Sequence, residues 1–204
     1  MLQTNTILPE TLDLLKGIMS VPELNEFSLA GGTALALQIG HRISVDLDFF
    51  GNRPFEKDEI IDLISHLGNV KLMNQSKNIL VININGIKLD FVNYKYAQLQ
   101  EILTVNNIRL FSLPDIGAMK LAAITGRGRK RDFTDLFFLL RKFSLSELLS
   151  FYNNKYPDGS EFLVARSLSY FDDADTDEEL HLIIPYKWDE IKAKIKEEVQ
   201  KLFS

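Results

Sequence analysis

The residues from Ala30 to Phe50 read AGGTALALQIGHRISVDLDFF and determine how the chain is expected to fold. Two glycines follow the short strand-like run EFSLA, and the helix-like segment TALALQIG comes next and ends at Gly40. The run SVDLDFF alternates apolar and polar residues, which is typical of a strand with one buried face. A strand, a glycine turn, a helix and a second strand are therefore predicted, with Asp46 and Asp48 on one face of the second strand.

Asp46 and Asp48 are candidate metal ligands. Alternate side chains of a strand share a face and start roughly 6–7 Å apart, which suits Mg²⁺ or Mn²⁺, because both cations bind carboxylate oxygens. Asp90 lies in a later strand-like run, IKLDFV. If the two strands are neighbours, the three carboxylates converge, and their mutual repulsion favours a bound cation. The alternative is a set of exposed acids on an edge strand. The residues expected to bury the other face are Val45, Leu47 and Phe49.

Gly31, Gly32 and Thr33 form a candidate phosphate-binding turn. Glycines let the backbone approach a phosphate closely, and a helix N-terminus presents free N–H groups to it. Thr33 is placed to cap the helix or to bond a phosphate oxygen. A pair of glycines alone marks only a tight turn. Its position ahead of a strand with paired acids favours nucleotide binding.

The rest of the chain separates into two kinds of pattern. Three strand-like runs, VKLMNQ, NILVIN and IKLDFV, follow an amphipathic helix over 56–67, and Asn85-Gly86 predicts a hairpin between the last two. From Leu113 onward the periodicity is helical, with a fourth helix over 161–171, an acidic solvated linker DDADTDEE, and a closing helix from Trp188 to Phe203. We therefore expect an α/β core over 1–112 and a helical C-terminal part over 113–204 packed on that core.

Composition narrows the class of protein. The 204 residues are 46% hydrophobic and carry a formal net charge of −5. A nucleic-acid partner would need a local basic patch, and GRGRKR over 126–131 is the main candidate. The absence of cysteine excludes thiolate chemistry. With no signal-peptide pattern and no apolar run near the ~20 residues of a membrane span, the expectation is a soluble, cytoplasmic protein without a membrane partner.

Three segments resemble, in the same order, the motifs of the AbiEii/AbiGii nucleotidyltransferase toxin family. The first is AGGTALALQIGHRISVDLDFF, which includes Arg42 and Ser44; the second is LDFV around Asp90; the third is MKLAAITGRGRKRDFTDLFFLL. The resemblance covers roughly residues 27–140. It implies the nucleotidyltransferase fold, a mixed sheet flanked by helices. It also implies a toxin of abortive-infection systems, with a cognate antitoxin as a separate chain.

The resemblance also implies roles for individual residues. Metal and nucleotide phosphates would be bound by the acids of the first motif, and Lys120 would contact the triphosphate. Asp132 or Asp135 would orient a basic group or the acceptor. Other interpretations stay open: Lys120 as a snorkelling surface lysine, Asp132 as a helix-start acid, and the basic cluster as a solvated loop. The residues implied in nucleotide binding are Gly31, Gly32, Thr33, Arg42, Ser44, Lys120, Arg127 and Arg131.

The expected reaction is transfer of a nucleoside monophosphate from a nucleoside triphosphate (ATP, GTP, CTP or UTP) to an acceptor hydroxyl. The resemblance favours RNA, in particular the 3′ end of tRNA, as acceptor. Asp90 is the best candidate for deprotonating the hydroxyl. Two alternatives remain: an antibiotic-type enzyme that modifies a small molecule, and a non-catalytic module that binds a nucleotide or a partner.

Overall fold

Residues 1–202 are described by a computed structural model, and they divide into two units. The first unit comprises Met1–Tyr96 and Glu101–Phe111. The second comprises Ala97–Gln100 and the chain from Ser112 onward. Within this described part of the chain, no helix is both long and apolar enough to cross a bilayer.

The first unit is built on a mixed sheet. Over residues 1–202 this sheet has seven strands in the order β3-β4-β5-β2-β1-β7-β6. The β2–β5 and β1–β7 pairs are parallel, and the other neighbours are antiparallel. The strands are β1 (Ser28–Ala30), β2 (Leu47–Gly51), β3 (Val70–Gln75), β4 (Ile79–Ile84), β5 (Ile87–Asn93), β6 (Leu103–Val105) and β7 (Ile108–Leu110).

Three α-helices accompany this sheet in the described part of the first unit: α1 (Pro9–Met19), α2 (Gly31–Ile39) and α3 (Lys57–Ile64). Proline at the first position of α1 suits a helix start, since its missing N–H has no partner there anyway. Helix α2 follows β1 directly and ends at Gly40, which adopts a left-handed conformation. This confirms the predicted order of strand and helix, but Gly31 and Gly32 are the first residues of the helix and not a turn ahead of it.

The alternating pattern of β2 and β5 determines where the acids lie. Leu47, Phe49 and Phe91 are fully buried, and the Phe49 and Phe91 rings stack with centroids 5.0 Å apart. Asp48 and Asp90 alternate with these residues and are half-buried. Because β2 and β5 are adjacent and parallel, the expectation that the strand of Asp90 lies beside that of Asp48 is confirmed.

The start of β2 differs from the prediction. The strand begins at Leu47, so Asp46 precedes it, and Val45 is 55% exposed instead of buried. The physical reason lies in Thr33, whose hydroxyl donates to the backbone carbonyl of Asp46. Because that carbonyl accepts a hydrogen bond from α2, it does not take part in the sheet, and strand pairing begins at the next residue.

Two hairpins of the sheet have turn residues with a positive φ. Asn85 and Gly86 adopt φ of 51° and 94° between β4 and β5, which confirms the predicted hairpin. A second hairpin, β6–β7, was not predicted; in it Asn106 and Asn107 have φ of 51° and 61°. Each of its strands has only three residues, too few for an alternating pattern to stand out.

The second unit is helical. Phe133, Phe137 and Phe138 are buried in its core. The fourth predicted helix ends earlier than expected, at Ser167, and Phe203 lies outside the described residues. The α-helices described are α4 (Leu113–Gly126), α5 (Lys130–Leu139), α6 (Leu145–Lys155), α7 (Glu161–Ser167), α8 (Asp172–Asp175) and α9 (Trp188–Lys201).

The acidic run over 172–179 is largely exposed, as predicted, but it is more than a linker without structure. Its first four residues form α8. Asp175 accepts hydrogen bonds from Trp188 Nε1 at 2.5 Å and from Lys192 Nζ at 2.9 Å. Asp177 accepts a hydrogen bond from the backbone N–H of Lys130 at 2.8 Å, at the start of α5. The acidic run is ordered because cations and N–H donors of α5 and α9 bind its carboxylates.

Candidate functional site

Asp48 and Asp90 form the centre of the candidate site in the first unit. They are direct partners in the parallel pairing of β2 and β5. Adjacent strands lie about 4.8 Å apart, and register partners project to the same face of a sheet. The register therefore places two half-buried carboxylates side by side, although they are 42 positions apart in the chain.

Gly31 closes one side of this pair. It is the first residue of α2, has a φ of +66°, and a Cβ added there would overlap the Asp48 carboxylate. Glycine is thus required both by the left-handed backbone and by the space that the carboxylate takes. The carboxylate lies at the N-terminus of α2, where the helix dipole favours negative charge.

Buried residues of α2 and of the segment between α2 and β2 contact the chain just ahead of the acids. Thr33 and Ser44 are buried, and their hydroxyl oxygens are 2.8 Å apart. Arg42 is also buried, and its Nη1 donates to the carbonyl of Ile43 at 3.0 Å. These three predicted nucleotide-binding residues therefore shape the segment that leads to Asp46.

Lys88 is a member of this site that the sequence interpretation missed. Its Nζ lies 2.6 Å from both carboxylate oxygens of Asp90. The signal was available, because residues 88 and 90 share a face of β5. The lysine neutralises one of the two paired acids.

The expected cluster of three carboxylates is not assembled in this conformation. Among residues 1–202, no three His, Cys, Asp or Glu side chains lie close enough to hold a metal ion together. Two features account for this: Asp46 lies ahead of β2, and Lys88 holds Asp90. A pair of carboxylates still fits Mg²⁺, which is commonly bound by one or two carboxylates together with water and substrate phosphates.

A second charged cluster lies within the helical unit. Lys120 Nζ is 2.9 Å from Asp132 and 2.6 Å from Asp135. Arg127 Nε is 3.1 Å from Asp132. Burial alone would raise the pKa of Asp132, but Lys120 and Arg127 outweigh that effect and hold the pKa below its ordinary value. Both carboxylates meet the same lysine, as expected for residues one helical turn apart.

Burial distinguishes Lys120 from a surface lysine. Its side chain is 6% exposed, and those of Asp132 and Asp135 are fully buried. The snorkelling interpretation is therefore wrong for Lys120. A buried ion cluster of this kind is costly to maintain unless each charge is paired.

Much of the predicted basic cluster is paired with acids of the same unit. Arg129 is 3.1 Å from Asp177, and Lys130, which is buried, is 2.9 Å from Glu179. Arg127 pairs with Asp132 but keeps a side chain that is 53% exposed. The positive charge of GRGRKR is thus partly balanced within the helical unit.

Comparison with known proteins identifies one family whose matched range includes the residues of both clusters. A profile of the family described as "Nucleotidyl transferase AbiEii toxin, Type IV TA system" matches residues 13–202. An uncharacterized protein of Aquifex aeolicus (strain VF5) is 38% identical over 197 residues, covering 94% of this chain and 95% of the relative.

Solved structures show the same fold at low sequence identity. JHP933 from Helicobacter pylori has a TM-score of 0.58 at 18% identity, covering 96% of this chain and 93% of that one. The antibiotic-resistance factor ANT(2″)-Ia has a TM-score of 0.53 at 14% identity, covering 69% of this chain and 88% of that one. These similarities confirm the predicted mixed α/β nucleotidyltransferase fold.

Proposed function

We infer the reaction from the family to which this chain belongs, the AbiEii nucleotidyl transferase toxins of type IV toxin–antitoxin systems. The protein is a nucleotidyltransferase. We propose that it takes a nucleoside monophosphate from a nucleoside triphosphate and attaches it to a hydroxyl of RNA, the 3′ end of tRNA in particular. The observation that carries this proposal is the register pairing of Asp48 with Asp90 beside the N-terminus of α2.

In this proposal, Asp48 and Asp90 hold a divalent cation, Mg²⁺ or Mn²⁺, and Asp46 would add a ligand only if the segment before β2 moves toward them. The cation would supply charge neutralisation at the triphosphate. The backbone N–H groups of Gly31 and Gly32 bind phosphate oxygens at the N-terminus of α2. Arg42 and Ser44 keep this segment in place.

Asp90 is the proposed proton acceptor. The acceptor hydroxyl gives its proton to Asp90 while its oxygen bonds to the α-phosphorus. The bond from the α-phosphorus to the bridging oxygen breaks, and pyrophosphate leaves. For this step the carboxylate must exchange Lys88 for the hydroxyl, and the four-carbon stem of a partly exposed lysine permits that movement.

The charged cluster of the helical unit is proposed to be required for the reaction. The family motif includes Lys120, Asp132 and Asp135, and a paired, buried ion cluster is not needed merely to fill a core, since apolar residues do so at least as well. Arg127 and Arg131 are proposed to bind the nucleotide or the RNA backbone through charge. A cognate antitoxin, as a separate chain, is the proposed protein partner.

The reaction is tested with two labels. Purified protein, Mg²⁺ and total tRNA are incubated with NTP labelled at the α- or the γ-phosphate, and the RNA is analysed on a denaturing gel. The proposal expects the α-label in RNA and the γ-label in pyrophosphate. Label transfer only to an added aminoglycoside would favour the small-molecule alternative. Transfer of the γ-label to RNA would make the reaction a phosphorylation and contradict the proposal.

Gly31→Ala tests the fit between the helix and the acid. The new methyl group would overlap the Asp48 carboxylate and displace it, so we expect transfer to slow by about a hundred-fold, as for the loss of one positioned polar contact. The matched control is Gly86→Ala, which also has a positive φ but meets nothing within 4 Å. Equal rates for the two variants would show that the close approach to Asp48 is unimportant.

A further inference from the structure

Three aromatic rings continue the face of the sheet that bears the two acids. Phe50 follows Asp48 by two residues on β2, so the two side chains share a face. The Phe50 and Tyr94 ring centroids are 5.0 Å apart, and those of Tyr94 and Tyr96 are 5.2 Å apart. The Tyr94 N–H donates to the carbonyl of Gly51 at 2.7 Å, which extends β5 alongside β2. We call Phe50, Tyr94 and Tyr96 the aromatic strip.

One end of the aromatic strip is exposed to solvent, and a buried aromatic ring packs against the rest of it. Tyr96 is 51% exposed, and Phe50 and Tyr94 are half-buried. Phe111 is buried, and its centroid is 6.4 Å from those of both Phe50 and Tyr94, in edge-on contacts. Edge-on aromatic contacts favour a fixed ring orientation, so the strip offers a firm surface with an accessible end.

Resting on the proposed function, we propose that the aromatic strip is the surface on which the nucleobase of the substrate stacks. A step of two residues along a strand covers about 6.6 Å, comparable to the span of one ribose. If the triphosphate is bound near Asp48, the base therefore lies beside Phe50. Val92, the register partner of Phe50, adds an apolar side chain next to the ring.

The chemistry of the strip determines what it recognises. Aromatic stacking accepts every base, because each has a π-face, and its loss weakens binding by roughly five- to hundred-fold per base. The strip contains no amide or carboxylate that could match the edge of one particular base. It should therefore select nucleotides over bare polyphosphates, with little discrimination among bases and a preference for the larger purines.

The test compares ATP with tripolyphosphate, which has the same phosphate chain and no base. Calorimetry with Mg²⁺ and no acceptor measures both affinities for the wild type, Tyr96→Ala and the matched control Tyr170→Ala, whose tyrosine is 53% exposed in the helical unit. We expect Tyr96→Ala to weaken ATP binding by about ten-fold and to leave tripolyphosphate binding unchanged. Tyr170→Ala should change neither. Phe50→Leu, which keeps an apolar side chain but removes the ring, should repeat the effect.

Two results would overturn the proposal. One is a wild type that binds ATP no more tightly than tripolyphosphate. The other is a Tyr96→Ala variant that weakens both ligands equally, which would indicate a structural effect. Binding of neither ligand to the wild type would reject the proposed function together with the strip, so the two failures are distinguishable.

Discussion

Asp48→Asn is expected to slow nucleotide transfer by roughly a thousand-fold. The change keeps the size of the side chain, and with it the fit against Gly31, but removes the negative charge that is proposed to hold the cation. Metal stabilisation of developing charge contributes several kcal/mol, and each 1.36 kcal/mol corresponds to a factor of ten in rate. The measurement is the initial rate of α-label transfer to tRNA at saturating Mg²⁺.

The matched control for this variant is Asp62→Asn, an exposed carboxylate on α3 of the same unit. It should retain the wild-type rate, and circular dichroism should show the same helix content for both variants. If Asp48→Asn keeps more than a tenth of the wild-type rate, Asp48 is not a ligand of the catalytic metal.

Lys155→Met is expected to lower the free energy of unfolding by roughly 3–5 kcal/mol, the range found when one partner of a buried ion pair is removed. Lys155 is fully buried and lies 2.7 Å from Asp115, which is itself 1% exposed. Asp115 also accepts hydrogen bonds from the backbone N–H groups of Leu99 and Gln100. The ion pair therefore helps to hold the segment 97–100 in the helical unit. Urea unfolding followed by circular dichroism gives the free energy.

Lys142→Met serves as the control for that measurement, because Lys142 is exposed and lies in the same unit. Its effect should stay within about 0.5 kcal/mol. The variant Lys155→Met combined with Asp115→Asn should recover part of the loss, since no buried charge is then left unpaired. A loss below about 1 kcal/mol for Lys155→Met alone would contradict the assignment of this pair as a stabilising contact.

The parts of the site that follow from local pattern could be predicted. Alternation placed Asp48 and Asp90 on half-buried strand faces, and the turn residues Asn85 and Gly86 predicted the hairpin between β4 and β5. The neighbouring position of β2 and β5 was inferred only conditionally from the sequence. The register itself depends on long-range packing, here the stacked rings of Phe49 and Phe91.

Features set by tertiary contacts could not be found in the same way. Asp46 leaves the strand because a hydroxyl from α2 binds its carbonyl, a contact between residues thirteen positions apart. The acidic run 172–179 is largely exposed as expected, but nothing in the sequence indicated that Asp177 accepts a hydrogen bond from a backbone N–H 47 positions away. A run of like charge in the sequence does not show which cations the fold brings beside it. Lys88, by contrast, could have been found from alternation alone.

Asp48 and Asp90 are proposed to bind one divalent cation jointly. Electron paramagnetic resonance of Mn²⁺, titrated into the wild type, Asp48→Asn, Asp90→Asn and Lys88→Gln in the presence of ATP, tests this proposal most directly. We expect at least ten-fold weaker binding for each aspartate variant, and tighter binding for Lys88→Gln because the competing ammonium is gone. Wild-type Mn²⁺ affinity in Asp90→Asn would contradict it.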